Sequence, residues 1–255
     1  MVTYDDASRK LLLFDVDGTL LHSGGAGRRG LTQAFEELFG VPDAFDQVAM
    51  SGRTDPLVLD DALRLARLTA RTCTRDRFFY RYLEILAQEV LQPGKRKGVM
   101  PGVRSLLDRL TVRTDVVCGL LTGNYAGAAR IKLDHFGLWN YFVCGSYGDD
   151  ASDRNALVPV AAARARKLGF YFGSMSDYVI VGDTPFDVQC AAAVGARSVA
   201  VATGAFDEDV LRESGANVVL SDLSDTDRLL SLVTESFWNR RCSDFNERRM
   251  KGERE

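Results

Sequence analysis

The apolar positions of the chain predict alternating strands and helices over most of its length. The first strand is a short buried run, Leu11 to Phe14, which ends at Asp15. After about residue 102 the strand pattern returns at 115–122, 141–146, 177–183, 197–203 and 217–220, with helices predicted from about residues 126, 156, 186, 207 and 225. Such alternation is typical of an α/β fold with a doubly wound, mostly parallel sheet.

Residues 28–92 differ from the rest, because their apolar positions follow helical spacing only. Glycines at 24–25 and 94–102 flank this segment. A single strand cannot bury itself, so the first strand must join the later sheet. We therefore predict an α/β core of residues 1–23 and 99–236, an inserted helical cap with hinge linkers at 24–98 that acts as a movable lid, and a charged, flexible tail at 237–255.

Two carboxylates, Asp15 and Asp17, stand at the carboxyl end of the first strand. Ligands of open parallel sheets bind at that end of the strands, and side chains two positions apart on a strand point to the same side. Gly18 permits the sharp turn that exposes both carboxylates. The alternative is an Asp-Gly turn that follows a core strand and has no chemical role.

Three further groups of polar residues follow later strands or precede helices. Thr122 and Gly123 offer a hydroxyl and a close backbone amide to an anion, or else form a simple strand-to-helix turn. Arg154 offers a fixed positive charge before a helix, or is one surface arginine among many. Asp183 ends an apolar strand and Asp187 follows four residues later, where both alternatively cap a helix that begins near residue 185.

Taken together, these strand ends predict phosphoryl transfer through a carboxylate. Mg²⁺ prefers hard oxygen ligands, so Asp15, Asp183 and a substrate phosphate oxygen would hold it. Asp15 is then placed to attack phosphorus, while Arg154 and Thr122 bind the other phosphate oxygens. Asp17 would donate a proton to the departing oxygen and later take one from water.

Composition narrows the setting of this chemistry. The 255 residues are 46% hydrophobic and 26% charged, as in ordinary globular proteins, and the net charge of -3 gives no case for nucleic acid or an anionic membrane as a partner. The five cysteines are widely spaced without a Cys-x-x-Cys pair, which argues against zinc and against a disulfide scaffold. We expect neither a signal peptide nor a membrane span. These features predict a cytoplasmic monomer or homodimer whose partner is a small phosphorylated metabolite.

Four motifs resemble, in order, those of the haloacid dehalogenase-like (HAD) hydrolases: DVDGTL at 15–20, LLTGN at 120–124, Arg154 before its helix, and GDTPFD at 182–187. The resemblance covers about residues 11–233 and implies a Rossmann-like core. The inserted helical sequence is similar to the cap of the phosphoglycolate phosphatase and β-phosphoglucomutase branch. One position departs from the family pattern, since the basic residue is more often lysine, and arginine is larger and forked.

The resemblance also implies a role for each matched residue. Asp15 would be the nucleophile and Asp17 the acid/base, with its backbone carbonyl as a further Mg²⁺ ligand. Asp183 would bind Mg²⁺, and Asp187 would lie just outside the ligands. The residues implied to bind phosphate are Thr122 and Arg154, and from its place beside Thr122 we predict that the Gly123 amide binds phosphate as well.

Substrate choice is expected to reside in residues 51–55, SGRTD, which resemble the substrate loop of that cap. We predict that Arg53 reaches into the closed site and binds an anionic or hydroxylated leaving group, and that Asn124 contacts the substrate. The alternative is a helix amino-terminal cap in which Thr54 or Asp55 precedes Pro56, and the two interpretations are compatible.

The resulting prediction is a Mg²⁺-dependent phosphatase of small phosphomonoesters, such as phosphoglycolate or a sugar phosphate, that works through an aspartyl-phosphate on Asp15. A phosphosugar mutase of the β-phosphoglucomutase type is an alternative, because it would use the same core residues and differ in how its cap keeps water from the phosphoenzyme. A catalytically silent family member that acts as a binding protein is the other alternative.

Overall fold

A six-stranded sheet is the framework of the computed structural model, which describes residues 9–233. In chain order the strands are β1 (Lys10–Phe14), β2 (Leu21–His22), β3 (Gly98–Val99), β4 (Val116–Leu121), β5 (Cys144–Ser146), β6 (Tyr178–Gly182), β7 (Arg197–Val201) and β8 (Val218–Leu220). The sheet order is β5-β4-β1-β6-β7-β8, and all of its neighbouring strands are parallel. The chain builds outward on one side of β1 and then crosses to the other side. The predicted α/β fold with a doubly wound parallel sheet is therefore confirmed.

Helices cover both faces of the sheet and form the insertion. They are α1 (Ala26–Phe39), α2 (Asp55–Leu65), α3 (Thr72–Glu89), α4 (Val103–Thr111), α5 (Ala126–His135), α6 (Leu157–Lys167), α7 (Pro185–Val194), α8 (Glu208–Glu213) and α9 (Thr226–Val233). The sequence analysis predicts no helix at α4, although its buried residues follow helical spacing: Val103, Leu106, Leu107 and Leu110.

Strand β1 is fully buried and separates two layers of the core. Leu12 and Phe14 join a cluster with residues of α4, α5 and α9, whereas Leu11 and Leu13 join a second cluster with residues of α6 and α7. This division follows from the period of two along a strand. Because both faces are covered, β1 appears in the sequence as a continuous apolar run.

The inserted helices, α1 to α3, have a hydrophobic core of their own. The ring of Phe35 packs edge to face against Phe45 and Phe78, with centroids 5.6 and 6.2 Å away. Tyr125 and Ala128, at the start of α5, also belong to this core. The inserted helices therefore rest on the end of the sheet where β4 leads into α5.

Two connectors join the inserted helices to the sheet, and they run side by side. Strands β2 and β3 pair antiparallel at their base. The sequence analysis predicts no strands there, because two residues are too few to show a periodic pattern. Farther on, Gly24 and Gly94 meet so closely that a Cβ on Gly94 would lie 2.3 Å from the Gly24 carbonyl oxygen. Only glycine leaves room for this close approach of two backbones.

Within residues 9–233, no helix combines the length and the apolar character that crossing a membrane requires. The described cysteines are free thiols: Cys73, Cys118, Cys144 and Cys190. Cys242 and the tail predicted at 237–255 lie outside the described residues.

Candidate active site

The candidate site lies at the carboxyl end of β1, where Asp15 and Asp17 follow the strand. The Asp15 N–H donates to the Val181 carbonyl at 2.9 Å, and the Asp15 side chain is buried. The Asp17 side chain is 40% exposed. Gly18 turns the chain at a φ of +87°, and a Cβ there would lie 2.4 Å from Asp183 Oδ2. Glycine is therefore required both for the turn and for the space that Asp183 occupies.

Three buried carboxylates, Asp15, Asp183 and Asp187, converge here with ligand atoms within 4.8 Å of one another. Burial raises the pKa of Asp15 to about 6, against the lowering effect of the Arg154 charge. Burial, followed by the charges of Asp15 and Asp187, raises the pKa of Asp183 well above its usual value. Thr19 donates its hydroxyl to Asp183 Oδ1 at 3.0 Å. Negative charge is unfavourable in this cluster unless a cation joins it.

Asp187 is held by two neighbours. Its Oδ1 accepts from Arg154 Nη2 at 2.5 Å, and its Oδ2 accepts from the Thr184 N–H and hydroxyl at 3.1 and 2.7 Å. With Thr184 it forms a capping box at the start of α7. Asp187 thus caps a helix and also belongs to the carboxylate cluster. Because both of its oxygens have partners, Asp15 and Asp183 are better placed to bind a metal.

Arg154 brings a positive charge to the cluster from the short 3₁₀ turn before α6. Its Nη2 lies 3.1 Å from Asp15 Oδ2, and its Nη1 donates to the Gly52 carbonyl at 3.3 Å. Burial lowers the pKa of the guanidinium, but the charges of Asp15 and Asp187 outweigh burial and raise it. The buried Nε has no acceptor among residues 9–233. Arg154 therefore stays charged beside Asp15.

Hydrogen bonds link the end of β4 to Asp17. Asn124 donates through Nδ2 to Thr122 Oγ1 at 2.8 Å and to Asp17 Oδ2 at 2.9 Å. Lys132, from α5, donates through Nζ to Asp17 Oδ2 and to Asn124 Oδ1, both at 2.6 Å. Because the Thr122 oxygen accepts from Asn124, its own hydroxyl hydrogen is directed elsewhere and is available to an anion.

The loop before α2 docks the inserted helices onto this end of the sheet. Asp55 donates its N–H to the Gly123 carbonyl at 2.7 Å and accepts the Tyr125 N–H through Oδ2 at 2.8 Å. The Thr54 hydroxyl donates to the Ser152 carbonyl at 3.3 Å. Thr54 occupies the N-cap position of α2 but makes no side-chain capping bond. The side chains of Thr54 and Asp55 thus bind the sheet side of the molecule instead of capping their helix.

A cavity of about 280 Å³ separates the strand ends from the inserted helices. From the sheet side it is lined by Asp15, Asp17, Thr122, Gly123, Asn124, Lys132 and Arg154. From the connector and the insertion it is lined by residues that include His22, Arg28, Met50, Arg53, Asp55 and Tyr82. Arg53 thus borders the cavity, with its guanidinium bonded to Asp61 and to the Ala49 carbonyl. Asp183 and Asp187 are not among the lining residues.

Comparison with known families decides the identity of this arrangement. Residues 9–195 match the model of the haloacid dehalogenase-like hydrolases. The chain belongs to this family. A phosphoglycolate phosphatase of Rhodospirillum rubrum is 28% identical to this HAD-like hydrolase over 221 residues, which are 84% of this chain and 88% of that protein. The resemblance inferred from the four motifs is confirmed, as is the prediction of a hydrolase.

Solved structures share the fold of this HAD-like hydrolase at low sequence identity. A predicted phosphoglycolate phosphatase from Haemophilus somnus gives a TM-score of 0.65 at 17% identity, covering 87% of this chain and 98% of that one. CbbY from Rhodobacter sphaeroides, solved in complex with phosphate, gives 0.61 at 16% identity, with coverages of 85% and 96%. At such identities the likeness establishes the Rossmann-like fold alone.

The sequence analysis missed two charged residues that line the cavity of this HAD-like hydrolase, Lys132 and Arg28. Lys132 is 4% exposed and lies four residues after the fully buried Ala128 on α5. A lysine at a core position of the helix that follows the TGN sequence was the available signal, since lysines are rarely buried without a partner. Asp55 was predicted as part of the substrate loop at 51–55 or as a helix cap, and its bond to Tyr125 depends on the fold.

Proposed function

We propose that this hydrolase is a phosphatase that cleaves small phosphomonoesters through an aspartyl-phosphate on Asp15. The proposal is carried by one observation, the meeting of a buried carboxylate and a buried guanidinium beside the cavity, with Asp15 Oδ2 lying 3.1 Å from Arg154 Nη2. A carboxylate at a strand end, held against a cation, is a nucleophile suited to an anionic substrate.

The carboxylate cluster fits Mg²⁺, which prefers oxygen ligands. Asp15, Asp183 and the backbone carbonyl of Asp17 would hold it. The raised pKa values of Asp15 and Asp183 support this assignment, because burial disfavours their charged forms as long as no cation is bound. When bound, Mg²⁺ would offset the negative charge of the carboxylates and of the phosphate.

Each residue at the strand ends has a step in the reaction. A carboxylate oxygen of Asp15 bonds to phosphorus as the bond between phosphorus and the ester oxygen breaks. Arg154, the Thr122 hydroxyl and the Gly123 amide bind the remaining phosphate oxygens. Asp17 gives a proton to the departing oxygen, which leaves as an alcohol, and then takes a proton from the water that attacks phosphorus. This second attack releases inorganic phosphate and restores Asp15.

The cavity favours a small and polar leaving group. Its volume of about 280 Å³ lies at the lower end of the range for ligand sites. Arg28 and Arg53 supply positive charge along its lining, which suits a leaving group with a carboxylate or hydroxyls. The similarity to the phosphoglycolate phosphatase of R. rubrum makes phosphorylated hydroxy acids the first esters to test.

The inserted helices would act as a lid over this cavity. Four hydrogen bonds hold the loop before α2 across the strand ends: Arg154 to Gly52, Thr54 to Ser152, Asp55 to Gly123 and Tyr125 to Asp55. Substrate entry and product release would require these bonds to break, and the glycines of the two connectors permit the motion.

The test is release of inorganic phosphate from phosphorylated hydroxy acids, sugar phosphates and p-nitrophenyl phosphate. We expect hydrolysis that stops when a chelator removes divalent cations and returns with Mg²⁺. Asp15→Asn should lower kcat by at least about 10⁴-fold, because the neutral amide cannot form the acyl phosphate. Turnover that survives Asp15→Asn, or no hydrolysis of any ester, would contradict the proposal. Dependence on a sugar bisphosphate with little phosphate release would identify a mutase.

A further inference from the structure

Lys132 is a buried cation that the reaction described above does not use. It lies in the last turn of α5, is 4% exposed, and places its ammonium between Asp17 Oδ2 and Asn124 Oδ1. The inserted helices enclose it, since a Cβ on Gly27 of α1 would lie only 3.3 Å from Nζ. Burying an ammonium is unfavourable unless charged or polar partners replace water. Lys132 has one partner of each kind.

Among residues 9–233, the two hydrogen bonds that the Asp17 carboxylate accepts fall on the same oxygen. Lys132 Nζ and Asn124 Nδ2 donate to Oδ2 at 2.6 and 2.9 Å. The two donors are themselves joined, because Lys132 also donates to Asn124 Oδ1. This closed set of bonds fixes the rotation of the carboxylate about its own axis. Since the side chain is 40% exposed, Oδ1 is the oxygen left to face the cavity.

We propose that Lys132, together with Asn124, is a positioning residue that holds Asp17 with Oδ1 toward the leaving group. The proposal rests on the phosphatase function inferred above. The proton transferred to the departing oxygen leaves from Oδ1, and the electron pair of the broken bond between phosphorus and the ester oxygen accepts it. Oδ2 keeps its two hydrogen bonds throughout. The leaving group departs as a neutral alcohol, and the Asp17 carboxylate that remains is paired with the ammonium.

A second explanation of Lys132 is that its ammonium balances the negative charges of the nearby Asp17 and Asp55 carboxylates. The two explanations differ in what they predict for different esters. Protonation by Asp17 matters for a poor leaving group, such as an alkyl alcohol, and hardly at all for nitrophenolate, which departs without a proton. Charge balance or simple structural support would affect both esters equally.

The experiment compares Lys132→Met with the unaltered enzyme on the best alkyl phosphate of the panel and on p-nitrophenyl phosphate. The quantity is kcat/KM, which reports the steps up to departure of the leaving group. We expect the alkyl ester to lose about 10²-fold and the nitrophenyl ester less than about threefold. Combining Lys132→Met with Asp17→Asn should cost no more than Asp17→Asn alone, because both changes remove the same step.

Controls separate this proposal from protein damage and from failure of the proposed function. Arg130→Met removes an exposed cation of the same helix that pairs with Asp134 at 3.3 Å, and it should leave both esters unchanged. Lys132→Ala removes the same donor to Oδ2 with a smaller side chain and should reproduce the selective loss if Lys132→Met does not fold. Equal losses on both esters would overturn the role of Lys132 and leave the phosphatase standing. Absence of hydrolysis by the unaltered enzyme would overturn both.

Discussion

At the scale of single residues, Arg154 connects three parts of the site. Its Nη2 contacts Asp15 and Asp187, while Nη1 reaches the Gly52 carbonyl in the loop before α2. A guanidinium does this because it is a planar fork of five N–H donors, whereas the ammonium of lysine is one compact charge. The departure from the more common lysine therefore has a structural explanation, since arginine binds the inserted helices as well as the carboxylates.

Substitution of Arg154 should separate the effect of its charge beside Asp15 from the effect of its bond to the Gly52 carbonyl. Arg154→Lys keeps the positive charge beside Asp15 but loses the bond to Gly52, so we expect kcat/KM to fall about 10-fold. Arg154→Met leaves two buried carboxylates without their cation, and kcat/KM should fall at least about 10³-fold. Steady-state kinetics on the best ester measure both changes. Full activity in Arg154→Met would contradict the assignment of phosphate binding to this residue.

At the scale of elements, burial decided which parts of the fold the sequence predicted. The sheet strands are covered on both faces and therefore appear as apolar runs. Helix α4 was missed because it directly follows glycine-rich sequence that favours a linker. The predicted strand at 141–146 is shorter in the structure, since a 3₁₀ turn at Trp139–Tyr141 precedes β5. The apolar pattern of a segment does not show at which residue a strand stops pairing with its neighbour.

The candidate site was predictable where its residues follow strands. Asp15, Thr122 and Asp183 each come directly after an apolar run, so parallel topology alone brings them to one edge. The sequence does not indicate which residue Lys132 binds. Its bond to Asp17 spans 115 residues and depends on how α5 packs beneath the inserted helices. Helical spacing reveals that Lys132 is buried, but not what it binds.

The amino terminus of α2 contributes a pH-dependent term to stability through Asp55. Burial raises the pKa of Asp55 from 3.8 to about 6, against the lowering effects of the Lys132 charge and the Tyr125 N–H. The folded protein thus binds this proton more tightly than the unfolded chain. Its contribution to stability is present below the unfolded pKa of 3.8 and is lost as pH rises through about 6.

Asp55→Asn should remove this pH dependence and keep the bond from Tyr125, since an amide oxygen also accepts. Between about pH 4.5 and about pH 7.5, the free energy of unfolding of the variant relative to the unaltered protein should rise by about 2 kcal/mol. Urea denaturation with a chelator present measures this difference. Glu213→Gln, a change at an exposed carboxylate, should stay within about 0.5 kcal/mol of the unaltered protein at either pH. A difference for Asp55→Asn that is flat with pH would refute the assignment.

At the scale of the whole molecule, the inserted helices lie between β1 and β4 in the chain. Two connectors join them to the sheet, so any movement of these helices must bend the connectors. The second connector is tied at both ends. Lys97 Nζ donates to the carbonyls of Val90 and Gln92 at the end of α3, at 2.5 and 2.9 Å. Arg96 Nη2 donates to the Thr203 carbonyl at 2.6 Å, and the Thr203 hydroxyl donates to Gly18 beside the site. The position of the inserted helices is therefore linked to the turn that follows Asp17.

The contact between Gly24 and Gly94 is where this linkage is most easily tested. In Gly94→Ala the new Cβ would lie 2.3 Å from the Gly24 carbonyl oxygen and 2.6 Å from its Cα, so the connectors must separate. Since backbone atoms cannot move aside as a side chain does, we expect the inserted helices to shift relative to the strand ends. Both kcat and KM should then change, with kcat/KM falling about 10-fold, while the protein stays folded. Gly98→Ala, in the same connector, places its Cβ where nothing lies within 4 Å and should behave as the unaltered enzyme. If folded Gly94→Ala keeps both kinetic constants, the connectors do not control the lid.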